Sequence, residues 1–77
     1  MMSLEEIEAT LAELEDIQLR RLGPAALQEL QRQIRLLMEQ LAAQQPEDME
    51  GEAFEAWAEP YERLEDLADN VADYLAR

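Results

Sequence analysis

The last third of this chain carries two interleaved ladders at helical spacing. Phe54, Trp57, Tyr61, Leu64, Ala68, Val71 and Leu75 step by three and four residues, and so do Glu52, Glu55, Glu59, Glu62, Asp66, Asp69 and Asp73. Wound as a helix, the segment has an apolar seam on one side and a row of carboxylates on the other. The spacing predicts a helix over 52–76. In heptad terms the seam fills a and d, with Ala53, Pro60, Leu67 and Tyr74 at g and Ala58 and Ala72 at e. That apolar face is wider than a two-helix seam needs. It predicts contact with two neighbours, as in a three-helix bundle.

Two shorter stripes precede it. Leu4, Ile7, Leu11 and Leu14, continued by Ile17 or Gln18 and then Leu22, predict a first helix over 3–22. Ser3 followed by Glu6 fits a capping box, with Glu5, Glu6 and Glu8 at the positive helix start and Arg20 and Arg21 at the negative end. Gly23 and Pro24 are expected to stop this helix, the glycine in the left-handed conformation and the proline opening the next helix. Leu27, Leu30, Ile34, Leu37 and Leu41 predict a second helix over 24–44. So short a link predicts an antiparallel hairpin. Residues 45–51 read as a longer connection, although Pro46 equally suits a first helical turn.

Pro60 removes a backbone hydrogen bond in the third helix and crowds the carbonyl of Ala56, at about 3 kcal/mol in a helix interior. The helix either breaks there or kinks. The apolar ladder keeps its phase across Pro60, and neither Ala58 nor Glu59 is a good N-cap. A kinked, continuous helix is therefore expected. No segment alternates as a strand does. The expected fold is an all-α, up-down-up bundle in one domain spanning 1–77, an antiparallel hairpin plus a longer, Pro-kinked third helix.

Charge narrows the partners. The chain has 77 residues and a formal charge of -13. Residues 1–16 contribute -6, residues 17–46 contribute +2 and residues 47–77 contribute -9. A surface so anionic repels nucleic acids and anionic membranes and favours basic protein surfaces. Neither direct nucleic-acid binding nor membrane binding is expected. Cysteine is absent, the first residues lack the basic and apolar runs of a signal peptide, and no apolar stretch approaches about 18 residues, so a cytoplasmic setting is expected.

The catalytic inventory is short. There is no His, Cys or Lys, with one Ser (Ser3, assigned to the cap) and one Thr, Thr10. Most nucleophile–base arrangements are thereby excluded. Carboxylate pairs do acid–base work only where their environments differ, and these acids are expected on a uniform solvent face. No enzymatic activity, cofactor or metal site is expected; the acid row lacks both the inward Glu-x-x-His pattern of di-metal bundles and the Ca²⁺ loop pattern.

Binding is the function class that remains. Glu52, Glu55, Glu59, Glu62, Asp66, Asp69 and Asp73 form the candidate face for a basic protein partner. The alternative is an acidic mimic of nucleic-acid phosphates that inhibits a nucleic-acid-binding protein, the strategy of small acidic phage proteins. The plain reading is a solvated face that keeps a small domain soluble. Phe54, Trp57 and Tyr61 read as core, or as an aromatic anchor for a partner. Leu19, Leu36, Met38 and Met49 fall off the main stripes; Leu36 and Met38 flank the second-helix seam and are candidates for self-association into a homo-oligomer. The hairpin followed by an aromatic-containing helix resembles the small helical co-chaperones of type III secretion needles. Residues 53–59 resemble short bacterial addiction-module components. These likenesses imply a third class, an antitoxin or dedicated chaperone, and rest on architecture and common residues.

Overall fold

In the computed structural model, which describes residues 1–77, α1 (Leu4–Glu15) opens on the expected capping box. The Glu6 amide donates to Ser3 Oγ at 3.1 Å, and the Ser3 amide donates to Glu6 Oε1 at 3.2 Å. Just upstream, the Met2 amide donates to Gln40 Oε1 and Gln44 Nε2 donates to the Met2 carbonyl, which ties the chain start to the second helix.

α1 ends at Glu15, not near Leu22. Asp16 closes the helix, Gln18 is extended, and a 3-10 turn follows at Leu19–Arg21. The break changes the phase of everything after it. Leu19 and Leu22 pack against the core, while Ile17 is left 38% exposed. A continuous helix would carry Ile17 or Gln18 inward and Leu19 outward. Leu22 lies on the inward stripe in either case, so the break exchanges Ile17 for Leu19 against the core. Arg20 and Arg21 consequently sit in the turn, and the last turn of α1 holds no base.

Gly23 is not left-handed. Its φ is -78° and it is the N-cap of α2 (Pro24–Ala42), with Pro24 in the first turn as expected. No helix ends at Gly23, so nothing calls for the left-handed turn. A residue before proline is in any case held in the extended region. The five leucine-stripe residues of α2 are all buried. Residues 43–51 connect to α3 (Glu52–Ala76), so Pro46 belongs to the connection. Gly51 supplies the entry to α3 at φ +109° and ψ 178°, a region reserved for glycine.

α3 runs unbroken through Pro60. The proline is fully buried on the inner face, and its apolar ring packs there. Ala56, whose carbonyl Pro60 leaves without a donor, is an exposed residue. The 25 residues of α3 span about 37 Å at 1.5 Å per residue, which sets the 40 Å long axis of the molecule.

The start of α3 lies beside the end of α2, where Trp57 meets Leu41, and Glu15 at the end of α1 meets Arg63 midway along α3. The order is therefore up-down-up. α2 and α3 make the most extensive contact, and α3 continues past α1 over the 3-10 turn. The register of α3 differs slightly from the expected one. Its buried residues are Trp57, Pro60, Leu64, Leu67 and Val71, which are d and g positions. Phe54, Tyr61, Ala68 and Leu75, at a, are half-buried. The inner face is turned toward g because α3 sits against both other helices. No helix is long and apolar enough to cross a membrane.

Candidate functional site

The outer face of α3 follows from its inner one. With Trp57, Leu64 and Val71 fixed on the core, residues about half a turn away point outward. Glu52, Glu55, Glu59, Glu62, Asp66, Asp69 and Asp73 are all exposed, and Glu65 beside them is exposed too. The row spans 21 steps of helix, about 31 Å at the α-helical rise.

Compensation along the row is slight. Glu59 is the one member in an ion pair, with Arg63 Nη1 at 3.3 Å. Arg63 itself is drawn away from the row by Glu15 of α1, to which it donates through both Nε and Nη2. This two-pronged hydrogen bond holds the Glu15 carboxyl below the ordinary carboxylate range and pushes the Arg63 guanidinium up. Arg63 thus straps α3 to α1 and relieves the row at Glu59 alone.

The flank facing α1 is more mixed. Asp66 borders a 260 Å³ cleft with Glu15, Arg63, Leu67 and Asn70. Asp73 borders a 580 Å³ cleft with Gln18, Leu19, Arg20, Asn70, Tyr74 and Arg77. In the second cleft Arg77 lies 4.4 Å from the Tyr74 ring centroid, a cation–π distance. No local spacing joins Arg20 and Arg77; they share a cleft because the break at Gln18 sets the 3-10 turn against α3. The unrelieved part of the row is its outward edge, Glu52, Glu55, Glu62 and Asp69. No group of three acids converges as a metal site does.

The aromatic run is mainly internal. Trp57 is buried, stacks on Tyr61 at 5.0 Å between ring centroids, and meets Phe54 at 5.6 Å. Phe54 and Tyr61 are half-buried against the core. Leu36 and Met38 part company. Two residues apart on a helix, they cannot share a face. Met38 packs on the core, and Leu36 is 46% exposed. Of the remaining off-stripe residues, Leu19 is half-buried, and Met49 in the connection is exposed.

Compared with protein-family models, curated proteins and solved structures, the chain matches none.

Proposed function

We propose that this protein is a non-enzymatic binding module of the cytoplasm, whose outer α3 face docks a protein partner with a basic surface. One observation carries the reading: seven carboxylates stand exposed along an unbroken helix, and a single ion pair touches them. Such a row raises the encounter rate of a cationic surface more than it adds to the final contact energy. The half-buried edges of Phe54 and Tyr61 supply apolar contact beside it.

The nucleic-acid mimic is the second reading, and charge density bears on both. The row alone places seven charges over about 31 Å, or about one per 5 Å, against one per about 1.7 Å for duplex DNA. A single row is too sparse to stand in for a duplex, which favours the protein-partner reading. The whole molecule places 13 net charges along 40 Å, about one per 3 Å, close to the 3.4 Å of a single DNA strand. That favours mimicry where the partner wraps several faces.

The deciding experiment captures partners on the wild-type chain and on variants with Glu55, Glu59, Glu62, Asp66, Asp69 and Asp73 amidated in pairs. Docking through the row predicts slower association in the variants and a weaker dependence of the rate on salt. Partners and salt dependence that do not change rule out both readings and leave the solubility role. A captured partner displaced by short DNA identifies the mimic; one indifferent to DNA identifies the basic protein surface.

A further inference from the structure

The three outward faces of the bundle differ in charge. α1 presents Glu5 and Glu13, followed by Asp16, with no base among them, and α3 presents its acid row. The outward stripe of α2 is Ala25, Glu29, Arg32, Leu36, Glu39 and Ala43, in steps of four and three, all of them exposed. Here two carboxylates, Glu29 and Glu39, are balanced by Arg32 and the adjacent Arg35. This is the face on which a second copy of a chain carrying -13 meets no local excess of negative charge. Leu36 lies near its middle.

We propose that α2 pairs with α2 of a second copy, antiparallel, about a two-fold axis at Leu36. The stripe is self-complementary under that operation, as a two-fold interface requires. A residue a given number of positions before the axis opposes one the same number after it. Leu36 meets its own counterpart. Arg32, four before, meets the turn that holds the partner's Glu39, and the symmetry repeats the pairing. Glu29, seven before, meets the partner's Ala43, so no carboxylate faces another.

The side chains are free to make these contacts. Glu39 has no ion-pair partner within its own chain. Arg32 engages Glu29 through Nε and Nη2, which leaves three of the five guanidinium N–H donors for a partner. A contact along one helix is smaller than the roughly 800 Å² per partner of a standard interface, so the pair forms at high micromolar concentration rather than tightly. It leaves the α3 row facing solvent, so this proposal stands or falls separately from the docking function.

Sedimentation velocity of the full chain, from micromolar to millimolar concentration, tests the pairing. A reversible monomer–dimer equilibrium is expected. Glu39→Arg and Arg32→Glu each set like charges face to face and should weaken it by about tenfold or more. Combining them restores opposite charges and should return the equilibrium to near wild type. Leu36→Gln, a change at an exposed position, should weaken it without altering charge. Circular dichroism confirms that each variant retains its helices. A chain that stays monomeric throughout overturns the proposal. So does a dimer indifferent to Glu39→Arg and Leu36→Gln, or a helical double variant that fails to recover.

Discussion

The indole Nε1 of Trp57 donates to the carbonyl oxygen of Leu41 at 2.7 Å, across the contact between α3 and α2. Leu41 lies in the last turn of α2, where carbonyls lack their intrahelical partners. Its oxygen also accepts from the Gln44 amide as the chain turns away. The indole thus does two jobs: it fills the d position of α3 and helps cap α2. Trp57→Phe keeps an apolar ring but loses the N–H and part of the volume. The expected cost is about 1–3 kcal/mol, read from the midpoint of urea unfolding. The wild-type fluorescence should be blue-shifted and poorly quenched by acrylamide. Emission typical of water-exposed indole in the folded chain would contradict the hydrogen bond and the burial together.

The two glycines predict opposite outcomes. Gly51 has φ +109°, so Gly51→Ala forces a side chain into a region closed to it, at about 1–3 kcal/mol. Gly23 is extended, with nothing within 4 Å of an added Cβ. It caps α2 without a side chain to accept from the first free amides. Gly23→Ser supplies that acceptor and stiffens the unfolded chain, for an expected gain of about 0.5–1 kcal/mol. Thermal unfolding should move down for the first and up for the second. Like shifts for both would contradict the assigned backbone conformations.

How much of this was legible in the sequence turns on where burial alone decides the outcome. The α2 stripe, the Ser3–Glu6 box and the exposure of the α3 acid row all follow from period and local chemistry, and the structure places each as expected. The end of α1 did not follow. The pattern at Ile17, Gln18 and Leu22 suits a continuing helix, whereas the helix stops at Glu15 and Leu19 takes the place on the core that Ile17 would have had. Gly23 was misplaced for the same reason, since its role depends on where α1 ends. Arg63 stands alone among acids in its stretch of the sequence. Its strap to Glu15 joins residues 48 apart, a relationship no local spacing encodes.

That strap carries a pH signature. The Arg63 hydrogen bonds hold the Glu15 pKa below its ordinary 4.5. A carboxyl lowered by folding stabilises the native state above its unfolded pKa, and loses that contribution as pH falls through the folded value. Arg63→Gln should therefore lower stability at neutral pH by about 1 kcal/mol or less, because the pair is partly open to solvent. The difference from wild type should hold down to about pH 4.5 and shrink below it. Paired denaturation curves at several pH values check the sign. A gap that stays constant on acidification would show that Arg63 acts through its packing and not through Glu15.

The acid row gives the last prediction, on stability rather than binding. Glu55 and Glu59, Glu62 and Asp66, and Asp69 and Asp73 are three like-charged i,i+4 pairs on one exposed helix face. Each pair opposes the helix by about 0.2–0.5 kcal/mol. Bases relieve this at Glu59 alone, through Arg63. Salt should screen the repulsion, so the midpoint of thermal unfolding should rise as ionic strength increases from low values. Replacing Glu55, Glu62 and Asp69 by their amides removes one member of each pair and spares the Glu59 contact. This triple variant should be more stable than wild type by about 1 kcal/mol at low salt, or about 4–8 °C for a domain of this size. The advantage should fade at high salt, where the wild-type row is already screened. A variant less stable than wild type at every salt concentration would mean that these carboxylates make favourable contacts in the free chain. The exposed face of α3 would then be part of the fold's support, not a surface held ready for a partner.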